Sequence, residues 1–472
     1  MMEQTKTASK GFKLNYKRTF TIGFAFFGIL LLWQVYDTWC PVLLSELFKK
    51  SFGVADEKQV QYLVGVMMAI DNLAALILLP IFGRISDKTH TRIGKRMPYI
   101  LVGTFVCAFA FPFIPVFYHY NNAAGVIAMM AIVVVFAMMY RNPAVALMPD
   151  MTPKPLRSKA NGIINIMGYI GGAFATVVGF VFVLSDYLGR KEPHTWAYNN
   201  IWVIEGPFLV GSVLMLVSAI VLFILVKENK IAEEMKEEMA RGDAVSETED
   251  KVDDDKPMSK RNKIMLFLIL GAEFFWFMAD NGINTFLNSY VIYGTGGSSV
   301  STGLLTIIFG VGSVLGFAFG GTIASKIGRK YTVISGLGLT LFGYLLWLIL
   351  TFTVGLPGDK VPLWLFAIWF AKGFGMSLVH VNSFPMVVEL CNSKKIGAFT
   401  GYYYAASMAA QTITPIALGT LLLVPKFDWN LLPVYASVCI AISLGIFLFI
   451  KNVKSEKTKF SKGLAAIGEA DD

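Results

Sequence analysis

Tyr140-Arg141-Asn142-Pro143 opens a stretch that runs through Met148-Pro149-Asp150, crosses Met151-Thr152-Pro153-Lys154-Pro155-Leu156-Arg157-Ser158-Lys159 and reaches Ala160-Asn161-Gly162. An arginine stands inside a long apolar run, the run ends on Pro-Asp, and a short basic loop leads into the next apolar run. A lone arginine in hydrocarbon costs about 3 kcal/mol on insertion scales, so Arg141 has to face a polar interior where it is paired or solvated. The stretch describes a membrane protein with a wet centre.

The rest of the chain agrees. Its 472 residues are 55% hydrophobic and 15% charged, and the charges gather between the apolar runs, which excludes an ordinary soluble domain. The net charge of +9 resides mostly in short loops rather than in a separate basic domain, so nucleic acid is not an expected partner and the lipid bilayer is. Cys40, Cys107, Cys391 and Cys439 lie in or beside apolar runs with no paired spacing, which argues against a disulfide framework or a metal site. No metal cluster, nucleophile–base pair or nucleotide loop stands out, so an enzyme is not expected, nor a cofactor beyond a coupling cation. The first run is too long for a signal-peptide core and is read as a permanent helix.

Apolar runs near the ~20 residues that span a bilayer occur twelve times. They cover 20–44, 60–84, 97–118, 123–149, 159–185 and 201–226, then 263–290, 299–324, 331–354, 361–389, 396–424 and 429–451. The expected fold is all-α, with an N-terminal six-helix half (1–226), a linker (227–262), a C-terminal six-helix half (263–452) and a tail (453–472). The linker combines Lys227-Glu228-Asn229-Lys230, a Glu/Lys/Met segment suited to a short amphipathic helix, and an acidic run from Glu247 to Lys256; it reads as solvated. Arg84, Lys88, Arg92, Lys95, Arg96, Lys154, Arg157, Lys159, Lys326, Arg329, Lys330, Lys394 and Lys395 all fall on the side of both termini. That side is expected to be cytoplasmic.

The halves repeat each other. Gly83-Arg84-Ile85-Ser86-Asp87-Lys88, leading to Arg92-Ile93-Gly94-Lys95-Arg96, stands between runs two and three, and Gly321-Thr322-Ile323-Ala324-Ser325-Lys326-Ile327-Gly328-Arg329-Lys330 stands between runs eight and nine. Asp150 and Gly162 return as Glu389 and Gly401, an offset of 239 residues that sets Arg141 on His380 and Gln34 on Glu273. A duplicated six-helix unit is the mark of a transporter with its site between two pseudo-symmetric halves. In the loop, Gly83 permits close helix approach, Asp87 at a helix terminus accepts from a neighbouring cation, and Arg92, Gly94 and Arg96 belong to a gating latch at the surface.

With twelve runs in two halves and Gly-x-x-x-Asp-Lys followed by Gly-Lys-Arg, the chain resembles the major facilitator superfamily. The expanded Gly83 to Pro98 segment, and Arg141-Asn142-Pro143 through Asp150 to Ala160-Asn161, resemble the glycoside-pentoside-hexuronide:cation symporters and the related sucrose-proton symporters. The similarity covers nearly the whole chain. It implies a bacterial-type inner-membrane secondary transporter, expected as a monomer, that imports a disaccharide or other glycoside with a proton by alternating access. Two departures stand against copying the relatives' coupling ion. The aspartate and arginine that plant sucrose symporters carry in helix 4 fall on Val134 and Val145, and the paired helix 2 aspartates of melibiose-type members fall near Ala75 and Leu79.

The candidate site residues follow from charge and periodicity. Gln34 and Asp37 share one face of the first run. In the seventh run Glu273, Phe277, Asp280, Asn281 and Asn284 form a polar stripe at helical spacing. Asp71-Asn72 lies about 18 Å from Gly83 at helical rise, and Arg141 about 14 Å from Asp150, so both reach mid-membrane. Intramembrane carboxylates bind protons or cations, and an arginine donates a fork of hydrogen bonds to hydroxyls or carboxylates. His380 titrates near neutral pH and suits a proton relay. Asn161, Asn165 and Tyr169 on the fifth run, and Tyr404, Ser407 and Gln411 on the eleventh, offer amides, hydroxyls and ring faces suited to a sugar, although helix packing uses the same residue types. Lys372 is expected to snorkel to the outer surface. The glycine runs Gly168-Gly171-Gly172 and Gly310-Gly312-Gly316-Gly320-Gly321 read as close helix packing. Two other readings remain beside the symporter: a non-transporting membrane sugar sensor, and a cation-independent facilitator for another small polar solute.

Overall fold

The computed structural model describes residues 13–153, 156–184, 188, 202–249, 259–354, 362–388, 390 and 396–450; Lys154, Glu389, Cys391, Lys394 and Lys395 lie outside the described residues. Lipid offers no hydrogen bonds, so each apolar run satisfies its backbone internally as a helix. The N-terminal half comprises α1 (Tyr16–Phe52), α2 (Gln61–Lys88), α3 (Met97–Ala110) continued by α4 (Phe113–His119), α5 (Ala123–Asp150), α6 (Arg157–Val181) and α7 (Trp202–Leu225). After it come α8 (Glu228–Glu234) and α9 (Lys236–Glu249). The C-terminal half comprises α10 (Lys260–Ser289), α11 (Ser299–Ile327), α12 (Arg329–Thr353), α13 (Leu363–Val388), α14 (Ile396–Leu421) and α15 (Leu431–Phe449). Among the described residues eleven spans are long and apolar enough to cross a membrane, and α14 is a further long helix at the place of the remaining expected run.

Two boundaries differ from the apolar runs. α1 continues past residue 44 through the polar turn Ser45 to Lys50 and stops where Gly53 takes a left-handed conformation (φ 64°), its N–H capping the carbonyls of Lys49 and Lys50. Hydropathy registers only the apolar part of such a helix. The third run breaks at Phe111-Pro112, where proline removes a backbone donor, and resumes as α4.

Each half has its own apolar core, one around Tyr36, Trp39, Phe111 and Phe208, the other around Trp276, Tyr290, Trp347 and Trp369. Between the halves, α2 packs on α14, α6 on α11 and α1 on α10. The glycine runs pack closely in part: Gly168 and Gly171 lie against Leu30 and the Phe27 carbonyl of α1, and Gly312 and Gly316 against the Phe370 and Phe374 carbonyls of α13, whereas a Cβ on Gly310 would meet nothing within 4 Å.

The basic loops share one face with the linker. Arg96 donates to Asp150 Oδ2 at 2.9 Å and to Ser86 Oγ at 2.6 Å and pairs with Asp87, while Lys95 Nζ lies 3.0 Å from Asp150 Oδ2. Burial works against the Arg96 charge, but the two carboxylates outweigh it and raise its pKa above the ordinary value. Glu228, 4% exposed, accepts from the backbone N–H groups of Lys95, Arg96 and Met97 at 2.9–3.1 Å, and Asn229 Nδ2 donates to the Thr91 and Arg92 carbonyls. Gly94 (φ 124°) leaves room for this carboxylate, since a Cβ there would collide with it. Glu228 thus caps the N-terminus of α3, where a negative charge is favoured. Glu228→Ala leaves three donors without their acceptor and is expected to destabilise the purified protein by about 2 kcal/mol. A thermal-unfolding series in detergent checks this, and an unchanged midpoint would refute it.

The opposite face is where the halves close. Asn288 Nδ2 of α10 donates to the Thr38 carbonyl of α1 at 2.8 Å, and Tyr293 OH donates to Glu46 Oε1 at 2.7 Å. Trp429 Nε1 donates to Glu57 Oε1 at 3.3 Å, and Lys58 Nζ lies 3.7 Å from Asp428 Oδ1. A Cβ on Gly65 of α2 would run into the Pro415 carbonyl of α14, and one on Gly303 of α11 would press on Phe180 of α6. The described contacts of Asp87 and Arg96 stay within the N-terminal half, and the inter-half seal belongs to the other face.

Candidate functional site

Directly on the inner side of this seal lie the intramembrane charges. Asp37 precedes Thr38 in sequence, and Asn284 stands one turn before Asn288, so the Asn288–Thr38 bond brings α1 and α10 together beside both residues. Asp37 and Asn284 are exposed although both sit mid-helix. α1 is the most buried of the membrane spans, so an exposed carboxylate on it opens on water between the halves.

In the N-terminal half, Arg141 of α5 acts electrostatically on Asp37 of α1. Asp71 of α2 is held by Tyr36, whose hydroxyl donates to Asp71 Oδ2 at 2.6 Å. The neighbouring Asn72 turns to the other half, donating to the Gln411 carbonyl of α14 at 3.1 Å. Gln34 Nε2 donates to Thr38 Oγ1 at 3.2 Å, one turn along α1. Gly83 fits against Asn142, whose Nδ2 donates to the Leu79 carbonyl at 2.5 Å and ties α5 to α2 one residue from Arg141. Asn161 and Asn165 of α6 are buried, whereas Tyr169 of α6 and Tyr404 of α14 are exposed.

In the C-terminal half, the stripe divides. Asp280 Oδ1 lies 2.8 Å from Lys372 Nζ, Asn284 Nδ2 donates to Asp280 Oδ2 at 3.2 Å, and the His380 ring packs 5.4 Å from that of Phe277. Glu273, two turns away, is fully buried, and neither oxygen has a hydrogen-bond partner among the described residues. It stands near Tyr403, whose hydroxyl shares a 2.9 Å hydrogen bond with Ser383. The helical period places Glu273 and Asp280 on one stripe, but Glu273 is fully buried and Asp280 is only partly so, which leaves the outer part of the stripe facing the inter-half space.

One expectation is overturned. Lys372 does not snorkel: it is 2% exposed, and lies nine residues, or about 14 Å, inside α13 from Leu363, beyond the reach of its four-carbon stem. The Asp280 carboxylate offers a nearer partner than water. Sequence reasoning also missed the Tyr36 hydroxyl as the partner of Asp71. The depth of Lys372 inside its apolar run is the signal that it needs a buried partner rather than the surface.

The family described as MFS/sugar transport protein matches residues 59–451. The chain belongs to that family. It is a multi-pass membrane transporter and not an enzyme. Among solved structures it is similar to the inward open conformation of the xylose transporter XylE from E. coli, at 16% identity with a TM-score of 0.64 over 93% of this chain and 96% of that one. It is similar also to the POT family transporter PepTSo, at 11% identity and a TM-score of 0.65 over 93% and 98%. A third is the proton:xylose symporter XylE bound to 6-bromo-6-deoxy-D-glucose, at 16% identity and 0.60 over 96% and 99%. Comparison with curated proteins gave no match. At these identities the structural likeness speaks for the fold.

Proposed function

We propose that this transporter carries a neutral disaccharide or other glycoside into the cell together with a proton, by alternating access in the inner membrane, with both termini and the basic loops in the cytoplasm. The observation that carries the reading is Asp37, an exposed carboxylate midway along α1 just inside the seal, with the Arg141 charge of α5 acting on it from a separate helix. A carboxylate and a guanidinium on separate helices exist either as a closed ion pair or apart, with the carboxylate protonated; a ligand that engages the guanidinium favours the second state. Asp37 takes the proton, Arg141 donates to sugar hydroxyls, and Asp280, Asn284 and Gln411 complete the ligand surface from the other half. Asp71, Asn72, Gln34 and Asn165 support it from behind. The state described here is inward-facing on this orientation.

The reading also draws support from a fold shared with a proton:xylose symporter. Its test is counterflow of labelled sucrose, maltose, melibiose and xylose in proteoliposomes, with and without an imposed pH gradient. Counterflow that an inward proton gradient converts to accumulation supports symport. Counterflow without accumulation makes the protein a facilitator, and binding without counterflow makes it a sensor.

A further inference from the structure

The Arg141 charge of α5 acts on Asp37 of α1, and Lys372 of α13 pairs with Asp280 of α10 at 2.8 Å. In a duplicated six-helix fold these are equivalent helix pairs, so each half carries a carboxylate on its first helix and a cation on its fourth. The residues are not equivalent in register. The offset of 239 sets Asp37 on Trp276 and Arg141 on His380, whereas the C-terminal pair is formed by Asp280 and Lys372, one and two turns nearer the sealed face. The same electrostatic arrangement is thus built twice from different positions, and in the second copy the cation is out of reach of water.

The geometry of that second pair is directional. Lys372 Nζ approaches one oxygen of Asp280 from inside the half, with its charge also 4.6 Å from the Phe309 ring centroid. The other oxygen meets the exposed Asn284 amide. What reaches the inter-half space is one carboxylate oxygen and one amide, an acceptor beside a group that both donates and accepts, with the net charge cancelled behind it. Vicinal hydroxyls match that surface. A cation would match it only if Lys372 were absent, because Asp280 would then present an unbalanced negative charge to the inter-half space.

We propose that Lys372 is a specificity-determining residue: by neutralising Asp280 from the buried side it makes the C-terminal half of the site a hydrogen-bonding surface for uncharged polyhydroxylated ligands and excludes cationic ones. This rests on the sugar-transport reading above.

The experiment uses the full chain in proteoliposomes, with counterflow of labelled sucrose, maltose, melibiose and xylose, and competition by glucosamine, a cation, against N-acetylglucosamine, its neutral counterpart. Lys372→Gln is expected to lower counterflow of the neutral sugar by at least ~100-fold and to make glucosamine the stronger competitor by about tenfold, a preference the unsubstituted protein lacks. Lys372→Arg keeps the original selectivity. Asp280→Asn combined with Lys372→Gln removes both charges and is expected to regain neutral-sugar counterflow to within about tenfold of the starting level, with the preference for glucosamine gone. Should Lys372→Gln not fold, the doubly neutral variant decides alone: counterflow supports the assignment, and a folded but inactive protein overturns it. A folded Lys372→Gln protein with unchanged selectivity also overturns it. Absence of counterflow by the unsubstituted protein for every sugar would instead sink the sugar reading, and this inference with it.

Discussion

Asp37→Asn is expected to abolish uphill accumulation of the transported sugar while leaving exchange across the membrane in place. One proton moving through about 100 mV supplies about 2.3 kcal/mol, which at 1.4 kcal/mol per factor of ten corresponds to roughly 50-fold accumulation. Asparagine preserves the shape and hydrogen-bonding capacity of the side chain but cannot exchange a proton, so the accumulation ratio should fall to about one, with counterflow reduced by no more than about tenfold. Arg141 keeps its charge but loses the carboxylate it acts on, and any residual loss of sugar affinity reports on that change. The measurement is sugar uptake against an imposed inward proton gradient, run beside counterflow on the same vesicles. Retention of the full ratio would remove Asp37 from the coupling step and direct attention to Glu273, the buried carboxyl without a hydrogen-bond partner among the described residues.

The second large effect is expected at the seal. Gly65→Val would push a side chain into the Pro415 carbonyl of α14, with the Ile416 nitrogen 3.1 Å from its Cβ. Backbone atoms cannot step aside as a flexible side chain does, so α2 and α14 must separate in the closed arrangement, whereas the contact is absent once that face opens. Overpacking of this kind costs about 1–3 kcal/mol, and a cost borne by one of two states shifts their ratio roughly five- to 150-fold. Transport should fall by a comparable factor, and a cysteine introduced beside the seal should become more reactive to an impermeant maleimide. Gly445→Val in α15 is the control, because a Cβ there meets nothing within 4 Å. Equal transport and equal labelling in the two variants would show that the α2–α14 contact does not govern the closed state.

Much of this architecture is legible in the chain, and the reasons are local. An apolar run of membrane-spanning length has only one way to satisfy its backbone in lipid, which is why the twelve spans appear where the runs are. Glycines at helical spacing inside apolar runs leave room for a neighbouring backbone, and Gly168, Gly171, Gly312 and Gly316 have such neighbours. Gly83 likewise admits a neighbour, Asn142 of α5, and Asp87 accepts from a nearby cation, because a carboxylate at a helix terminus and an arginine nine residues on have few other arrangements. Arg141 demanded a polar centre on cost alone. The failures have a different character. Lys372 was assigned to the surface because its immediate neighbours are apolar, while its partner lies 92 positions earlier in the chain. Glu273 shares a helical face with Asp280 but not its exposure, since Tyr403 of α14 stands by Glu273 within the buried core while Asp280 keeps 18% of its side chain exposed.

The amino-acid sequence by itself determined the all-helical membrane fold, the two repeated halves, the basic face and the pool of intramembrane polar residues, because hydropathy, charge cost and helical spacing act within a run or between adjacent ones. The tertiary structure alone decided that Asp71 goes to Tyr36, that Asp280 goes to Lys372, that Glu228 caps α3 from beyond the six-helix half, and that the molecule is closed on the face away from its basic loops. Those outcomes depend on the depth and rotation at which separate helices meet, and a Coulombic partner is chosen by distance in space rather than by separation along the chain.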